Sequence, residues 1–266
     1  MPELPEVETI RRSLEREILD LQLRDLEVHE PRLLQNCTEK ELKRALVGNE
    51  VGKLARRAKF LIFDFGKHSM VFHLRMTGWF SVDCPQNPRL ILEFDRKTLY
   101  FEDTRRFATL HLSETKRLAQ LKPLAQLGIE PFHPSYTLSN FRKLLESAQE
   151  IKRLLLDQTK IAGLGNIYAC EALFAGKVHP ARPAASLSAQ KAKRLFTQIE
   201  KILERAISEQ GTTVDTYRSL DGVGNFQNFL AVYDRENQPC IYCETIIERL
   251  EQGGRSSYFC PRCQRL

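Results

Sequence analysis

The chain has 266 residues, of which 42% are hydrophobic and 28% are charged, and its 40 Lys and Arg exceed its 34 Asp and Glu to give a net charge of +6. This composition is that of a globular protein, and the length allows two domains with separate cores. No apolar run approaches the roughly 20 residues of a membrane span, and the N-terminus lacks the apolar core of a signal peptide, so we expect a cytosolic protein. The positive charge allows a polyanionic partner without requiring one.

The N-terminal segment places a proline directly before an acid, and a predicted helix follows. Apolar residues recur at helical spacing from Pro5 to about Leu19, which predicts an amphipathic helix that lies on a core. If Met1 is removed, the secondary amine of Pro2 has a pKa of about 7.7–8. A substantial fraction of it is then neutral and nucleophilic near physiological pH. The adjacent Glu3 can exchange a proton with a sugar that this amine attacks. The alternative is structural, since Pro and Glu both suit the first turn of a helix.

Short apolar or alternating runs follow, and they predict an antiparallel sandwich or flattened barrel. The predicted strands are Phe60–Phe65, Met70–Leu74, Trp79–Val82, Arg89–Phe94, Thr98–Phe101 and Thr109–Leu112. The stretch Leu121–Pro134 contains several prolines and reads as a loop, which predicts a domain boundary there.

The chain beyond this boundary is predicted to be helical. We expect helices over Leu138–Leu156 and Ile167–Phe174, and a long helix that Ser188 caps and that ends at Gly211. The predicted fold class is therefore α+β and multidomain, with an N-terminal helix and antiparallel β-sandwich, then a helical domain and a small C-terminal unit. The predicted divisions are residues 1–122 for the sandwich domain, 123–136 for a linker, 137–225 for the helical domain and 226–266 for the C-terminal unit.

Four of the seven cysteines predict a zinc site near the C-terminus. Cys240 and Cys243 form one CxxC unit, and Cys260 and Cys263 form a second one after sixteen intervening residues. This is the spacing of a four-thiolate zinc ribbon. Because so short a unit cannot form a sizeable apolar core, one structural Zn²⁺ would supply its folding energy. Arg255 falls at the hairpin tip between the pairs, where it either contacts nucleic acid or is only a solvated charge.

Four further segments have the composition of DNA contacts. Arg105 and Phe107 follow a strand and could enter a duplex, although a core phenylalanine with arginines at its rim is the commoner arrangement. Met76 allows the same two interpretations. Asn166 caps a helix after a glycine turn, where the helix start can hold a phosphate or serve only as a tight connection. Lys59 opens a strand amid basic residues, where most lysines are solvated.

These segments together resemble the bacterial formamidopyrimidine-DNA glycosylase family. The matching motifs are PELPEVE at 2–8, RRAKFL at 56–61, HLRMTG at 73–78, DTRRF at 103–107, LLLDQ at 154–158, AGLGNIYACE at 162–171, and GR and CPRCQ in the C-terminal unit. They occur in order over nearly the whole chain. Leu4 favours this branch over the endonuclease VIII branch, which more often has glycine there.

The resemblance implies what the protein does and with what. It implies a bifunctional DNA glycosylase and AP lyase that removes oxidised purines from damaged double-stranded DNA and cleaves the abasic site by β,δ-elimination. It also implies a helix–two-turn–helix domain followed by the zinc ribbon. The expected protein is a monomer in the bacterial cytoplasm, associated with the nucleoid through DNA.

The resemblance also implies a chemical role for five candidate residues. Pro2 would be the nucleophile that displaces the base and forms an iminium, and Glu3 would be its acid/base partner. Glu6 would help to organise the lesion pocket. Lys59 would contact phosphate and assist β-elimination, whereas Arg255 would grip phosphate and support δ-elimination.

The remaining candidates would contact the duplex. Met76, Arg105 and Phe107 would fill the gap left by the flipped base, with Arg105 facing the orphan cytosine. Asn166 and Lys152 would clamp a phosphate.

A loop would close over the lesion, and a few residues depart from the family's usual pattern. Thr212–Phe226 matches the loop that closes over the oxidised purine, and its glycines suit such a movement. Ala108 stands where glycine usually follows the phenylalanine, and Ser257 stands for a threonine. Gln86 or a neighbour stands where a histidine is common, and Ser147–Glu150 stands where a basic run is common, which affects phosphate affinity rather than the chemistry.

Three alternatives remain open. The first is an endonuclease VIII-like glycosylase that prefers oxidised pyrimidines. The second is a zinc-ribbon protein that binds damaged DNA without cutting it, which requires the terminal Pro-Glu to be idle. The third is a purely structural interpretation in which the basic residues form solvated faces.

Overall fold

The computed structural model describes residues 2–213 and 219–266, and the chain folds into two compact units. The first unit is Met1–Ala125 with Glu209–Asn225, and the second is Gln126–Ser208 with Phe226–Leu266.

The first unit is a helix on two four-stranded antiparallel sheets. Its helices are α1 (Leu4–Ile18), α2 (Glu39–Leu46) and α3 (Lys122–Ala125), with 3-10 turns at Pro31–Leu33 and Thr115–Gln120. Its strands are β1 (Leu23–Val28), β2 (Lys53–Arg57), β3 (Phe60–Asp64), β4 (His68–His73), β5 (Gly78–Ser81), β6 (Leu90–Phe94), β7 (Thr98–Asp103) and β8 (Thr109–Glu114). One sheet has the strand order β1-β6-β7-β5, and the other has the order β2-β3-β4-β8.

Aromatic side chains join the two sheets face to face. Phe72 of β4 lies with its ring centroid 5.2 Å from that of Phe80 on β5 and 5.3 Å from that of Phe101 on β7. All three side chains are at most 2% exposed. The apolar side of α1 belongs to the same buried cluster, as its predicted periodicity requires. The predicted sandwich with an N-terminal helix is therefore confirmed.

Residues 209–213 and 219–225 lie with the sandwich, whereas the predicted divisions assigned them to the helical domain. Thr212 N–H donates to Glu6 Oε1 at 2.7 Å, and Leu220 packs against the sandwich core. Arg16 of α1 forms an ion pair with Asp221. These contacts return the chain to the first unit, and no local sequence pattern reports them.

The second unit contains four helices and a hairpin. Its elements are α4 (Leu138–Leu145), α5 (Ile151–Leu156), α6 (Asn166–Gly176), α7 (Ala189–Ser208), β9 (Glu248–Gln252) and β10 (Arg255–Phe259), with 3-10 turns at Ala184–Ser186 and Phe226–Phe229. The prediction of helix over Leu138–Leu156 is confirmed at Leu138–Leu145 and Ile151–Leu156 and is wrong at residues 146–150, which separate the two helices. The carbonyls of these intervening residues pair with another segment instead, since Ala185 N–H donates to Ser147 O at 3.0 Å and Ala184 N–H donates to Gln149 O at 2.9 Å.

None of the helices in the described ranges is long and apolar enough to cross a membrane.

Candidate functional site

The start of α1 buries two carboxylates beside Pro2. Glu3 and Glu6 are each 2% exposed, and Pro2 is also buried. Glu3 is the N-cap of α1 and forms a capping box with Glu6, whose Oε2 accepts from Glu3 N–H at 2.8 Å. The other oxygen of Glu6 accepts from Thr212 N–H at 2.7 Å. Both carboxylates therefore bind backbone amides at the start of α1, and Glu3 is the one that directly follows Pro2 in the chain.

Glycines allow the backbone near Thr212 to approach Glu6. Gly211 has a φ of +86°, and a Cβ built on it would lie 2.8 Å from Glu6 Oε1. A Cβ on Gly224 would lie 2.2 Å from the carbonyl oxygen of Gly211. Gly224 thus serves a close approach of two backbone segments, where the sequence had suggested only mobility. The predicted lesion loop contains residues 214–218, which lie outside the described residues.

We predict that Gly211→Ala destabilises the protein more than Gly222→Ala does. Both positions have a positive φ, +86° and +112°, but only Gly211 has atoms close to its Cβ position. The left-handed backbone costs about 1–2 kcal/mol for alanine, and displacing a bond to the Glu6 carboxylate costs about 1.5–3 kcal/mol more. Urea unfolding of both variants measures this difference. Equal losses of unfolding free energy would contradict the role of the Glu6 contact.

Lys59 lies in a two-residue turn between β2 and β3, and it is only 5% exposed. The turn requires a φ of +51° at Ala58. Arg56 Nη1 donates to the carbonyl oxygen of Ala58 at 3.0 Å, and Arg56 Nε donates to Glu8 Oε2 at 3.0 Å. A charged pair therefore fastens the lysine-bearing hairpin to α1. Sequence reasoning missed Glu8 in this role, although it belongs to the PELPEVE motif.

His73 ends β4, in the same sheet as the hairpin that carries Lys59, and it is a buried, neutral base. Its ring packs edge-on against Phe60, with 4.7 Å between the centroids, and its Nδ1 accepts from Arg75 N–H at 3.0 Å. Burial, together with the positive charges of Arg75 and Lys59, lowers the pKa of His73 to about 3. Because His73 is neutral, the positive charge in its surroundings comes from Lys59 and Arg75.

Acid is expected to destabilise the protein through His73. A histidine in the unfolded chain has a pKa of about 6.5, so it binds a proton below that pH. In the folded protein His73 binds this proton only below about pH 3. The stability that neutral His73 contributes is fully present above about pH 6.5. As the pH falls from 6 to 4, the free energy of unfolding decreases by about 2 kcal/mol through this histidine. Urea unfolding of His73→Asn should show a shallower pH dependence than the wild type. Identical slopes for wild type and His73→Asn would contradict this effect.

Two loops bring Met76, Arg105 and Phe107 together on the surface, and we call these three residues the triad. Met76 is 40% exposed and Phe107 is 53% exposed. Arg105 Nη1 lies 3.0 Å from Met76 Sδ, and the Arg105 guanidinium carbon lies 4.9 Å from the centre of the Phe107 ring. The alternative of a core phenylalanine does not apply, because Phe107 points to solvent.

The neighbouring arginine of the DTRRF motif faces elsewhere. Arg106 Nε lies 3.4 Å from Glu30 Oε2, and Glu30 also binds Arg32. Bonds from Arg32 lower the pKa of Glu30, so the carboxylate is charged. Of the two adjacent arginines, Arg105 is therefore the one that joins the triad.

The four predicted zinc ligands lie together in the second unit. The Sγ atoms of Cys240, Cys243, Cys260 and Cys263 all lie within 4.8 Å of one another. Three of the pairs are 3.5–3.9 Å apart. A tetrahedral zinc with Zn–S bonds of about 2.3 Å requires S–S separations of about 3.8 Å, so the donor set fits one zinc ion. Hydrogen bonds with Thr245 lower the pKa of Cys243 to about 6, whereas burial raises the pKa values of Cys260 and Cys263, so zinc binding would displace protons from these thiols.

Lys152 is buried and holds the zinc-binding hairpin to the helices. It is 1% exposed, and its ammonium donates to Ser257 Oγ at 2.8 Å, to Ser256 O at 3.1 Å and to Cys170 Sγ at 3.1 Å. All three of its protons are therefore used internally. This placement favours a structural role for Lys152 over the predicted phosphate contact. It also gives Ser257 a function, because this buried hydroxyl accepts a hydrogen bond from Lys152.

Asn166 is the first residue of α6, and Gly165 rather than Asn166 is the N-cap. Asn166 Nδ2 donates to Ser256 O at 2.9 Å, which ties the helix start to β10. Gln158 holds the preceding turn, since its amide accepts from Gly163 N–H at 2.9 Å and donates to Leu164 O at 2.7 Å. Sequence reasoning quoted Gln158 only as part of a motif. These bonds fix the direction in which α6 begins.

Arg255 is exposed at the first position of β10, as its place in the sequence predicts. Two glycines, Gly253 and Gly254, form the turn before it with φ values of +57° and +72°. The hairpin tip therefore presents a guanidinium to solvent within the second unit, close in sequence to Ser256, which binds Asn166 and Lys152.

Comparison with known proteins assigns these features to one family. A model of the formamidopyrimidine-DNA glycosylase N-terminal domain matches residues 1–110, and a model of the H2TH domain of the same enzymes matches residues 127–218. A third model, described as a zinc finger found in FPG and IleRS, matches residues 237–266. A formamidopyrimidine-DNA glycosylase from Streptococcus thermophilus is 41% identical over 100% of both chains. The chain belongs to the formamidopyrimidine-DNA glycosylase family.

Solved structures of this family have the same fold. The MutM (FPG) protein of Thermus thermophilus superposes with a TM-score of 0.91 at 40% identity, covering 99% of this chain and 98% of that one. A Lactococcus lactis FPG mutant bound to DNA that contains Fapy-dG superposes with a TM-score of 0.93 at 35% identity over 100% of both chains. A further complex of the Lactococcus lactis Fpg holds DNA with an abasic site, again with a TM-score of 0.93, at 35% identity over 99% of this chain and 100% of that one. Family membership confirms the zinc-finger assignment of the four cysteines.

Proposed function

We propose that this protein repairs DNA by excising oxidised purines, namely 8-oxoguanine and formamidopyrimidines, and by cleaving the resulting abasic site through β,δ-elimination. Relatives with the same fold have been crystallised with Fapy-dG DNA and with abasic-site DNA, which supports this substrate class. The observation that carries the proposal is the buried Glu3 carboxylate, which caps α1 directly after Pro2.

The chemistry begins with removal of Met1, which frees the secondary amine of Pro2. The amine attacks C1′ of the damaged nucleotide, the bond from C1′ to the base breaks, and the base leaves with a proton. Glu3 then protonates O4′ and the C1′–O4′ bond breaks, which opens the sugar and leaves a cationic iminium between Pro2 and C1′ that acts as an electron sink. Glu3 supplies and accepts the protons at the sugar.

The iminium makes strand cleavage possible by two eliminations. Loss of a proton from C2′ expels the 3′-phosphate, and loss of a proton from C4′ then expels the 5′-phosphate. Water hydrolyses the remaining iminium and returns the free Pro2 amine. Lys59 would neutralise a phosphate during the first elimination, and Arg255 would neutralise one during the second. The four cysteines would hold a zinc ion that keeps the ribbon folded.

The triad and the helical unit would bind the duplex. A base inside the stack is out of reach of Pro2, so it must be flipped out at a cost of a few kcal/mol. Met76 and Phe107 would enter the vacated space, and Arg105 would pair with the orphan cytosine. Asn166 would hold a phosphate at the start of α6. The protein is proposed to act as a monomer in the bacterial cytoplasm, on nucleoid DNA.

A comparison of lesions tests this function against its nearest alternative. Met1-processed protein is incubated with matched duplexes that carry either 8-oxoguanine opposite cytosine or thymine glycol. Faster cleavage of the 8-oxoguanine duplex is expected. Preference for thymine glycol would support the endonuclease VIII-like alternative, and binding without cleavage of either duplex would support a recognition protein.

A further inference from the structure

A buried carboxylate joins the two loops that carry the triad. Asp103 is 2% exposed and ends β7, opposite Gly78 at the start of β5. Its Oδ1 accepts a hydrogen bond from Thr77 Oγ1, and its Oδ2 accepts from Ala108 N–H at 2.7 Å. Thr77 Oγ1 in turn accepts from Arg105 N–H at 3.1 Å. One carboxylate and one hydroxyl therefore hold both loops.

Both loops contain a backbone conformation that needs such support. Arg75 has a φ of +54° and Arg106 has a φ of +56°, which side chains other than glycine rarely adopt. Residues in this region persist only where their surroundings hold them, and they concentrate at functional sites. Arg106 N–H donates to the carbonyl oxygen of Asp103 at 3.3 Å, and Arg75 N–H donates to His73 Nδ1. The loops are thus fixed before any ligand arrives.

The hydrogen bonds of Asp103 and Thr77 involve residues next to the exposed triad side chains. Thr77 directly follows Met76, and Ala108 directly follows Phe107, while the Arg105 amide is bound between them. A carboxylate that served only to end the strand would not need to bind both the residue after Met76 and the residue after Phe107.

We propose that Asp103 and Thr77 are positioning residues for base eviction, because they make the triad a single preformed wedge. This inference rests on the proposed function and assigns a role to two residues that need not touch DNA. Loops that are not joined would have to be ordered during insertion, and that loss of freedom would slow penetration of the duplex. A displacement of about 1 Å at such a site can lower a rate by about 10²-fold.

Variants of Thr77 separate positioning from folding. Thr77→Val keeps the shape of the side chain and removes the hydroxyl, whereas Thr77→Ser keeps the hydroxyl and is the matched control. Asp103→Asn keeps the shape of the carboxylate and removes its charge. Each variant is tested under single-turnover conditions on a duplex with 8-oxoguanine opposite cytosine, and on a single-stranded oligonucleotide with a preformed abasic site. The second substrate has no base to evict and no gap to fill.

We expect Thr77→Val and Asp103→Asn to cleave the 8-oxoguanine duplex about 10- to 100-fold more slowly than the wild type. Cleavage of the single-stranded abasic site should be unchanged, and Thr77→Ser should match the wild type on both substrates. Wild-type rates for Thr77→Val on the duplex would overturn the inference while leaving the proposed function intact. Equal losses on both substrates would also overturn it, since they would indicate a general structural role. A wild-type protein that cleaves neither substrate would overturn the proposed function itself, and the inference with it.

Discussion

Glu3→Gln is expected to slow excision of 8-oxoguanine from a duplex by about 10²- to 10⁴-fold, the usual contribution of a positioned general acid or base. Glu3 is 2% exposed and directly follows Pro2 in the chain. A carboxylate on the protein surface could therefore not easily take over its proton transfer. Glutamine has the same size and keeps a hydrogen-bond acceptor at the N-cap, but it cannot exchange a proton. Single-turnover excision measures the effect.

Glu17→Gln is the matched control, because Glu17 lies on the same helix and pairs with Lys97. It should retain wild-type excision. Thermal unfolding of both variants shows whether a change in stability, rather than loss of the proton donor, lowers the rate. Wild-type excision by Glu3→Gln would contradict the assigned role.

Cys260→Ser is expected to unfold the zinc ribbon and to weaken duplex binding by about tenfold or more, which corresponds to about 1.4 kcal/mol. Cys260 is fully buried, and the ribbon core contains few apolar side chains besides the ligands themselves. Structural zinc contributes on the order of 10 kcal/mol in small zinc domains, which the remaining core cannot replace. Metal analysis should show loss of about one zinc per chain, and binding should be measured at one fixed salt concentration.

Cys84→Ser serves as the control for this substitution. Cys84 is exposed and lies outside the four-cysteine cluster. It should keep its zinc and its affinity. Full zinc content and unchanged duplex affinity in Cys260→Ser would contradict the structural role of the metal.

Local sequence patterns predicted the elements whose burial follows a regular period. The stripe of α1 and the apolar runs of the inner strands belong to this class, because each faces the core along its length. The strands β1 and β2 were missed, and both lie at sheet edges with one neighbour. In β1 the register shifts between Leu23 and Asp25, which breaks the alternation. In β2 only Leu54 is buried.

The motifs predicted which residues matter but not how they are held. The spacing of the cysteines was sufficient to predict the metal site, because two CxxC units determine the donor set. The partners of other residues are distant in sequence: Arg56 binds Glu8 across 48 residues, and Lys152 binds Ser257 across 105. A buried lysine and an exposed one have the same sequence signal, so the internal position of Lys152 could be read only from the structure.

Trapping of the covalent intermediate tests the central claim most directly. Met1-processed, zinc-loaded protein is mixed with a duplex that carries 8-oxoguanine opposite cytosine, reduced with borohydride, and digested for mass mapping of the adduct. We predict that the reduced sugar is attached to the nitrogen of Pro2. A protein that binds the duplex but forms no adduct, or forms one at a lysine instead, would contradict the proposal that the N-terminal proline is the nucleophile.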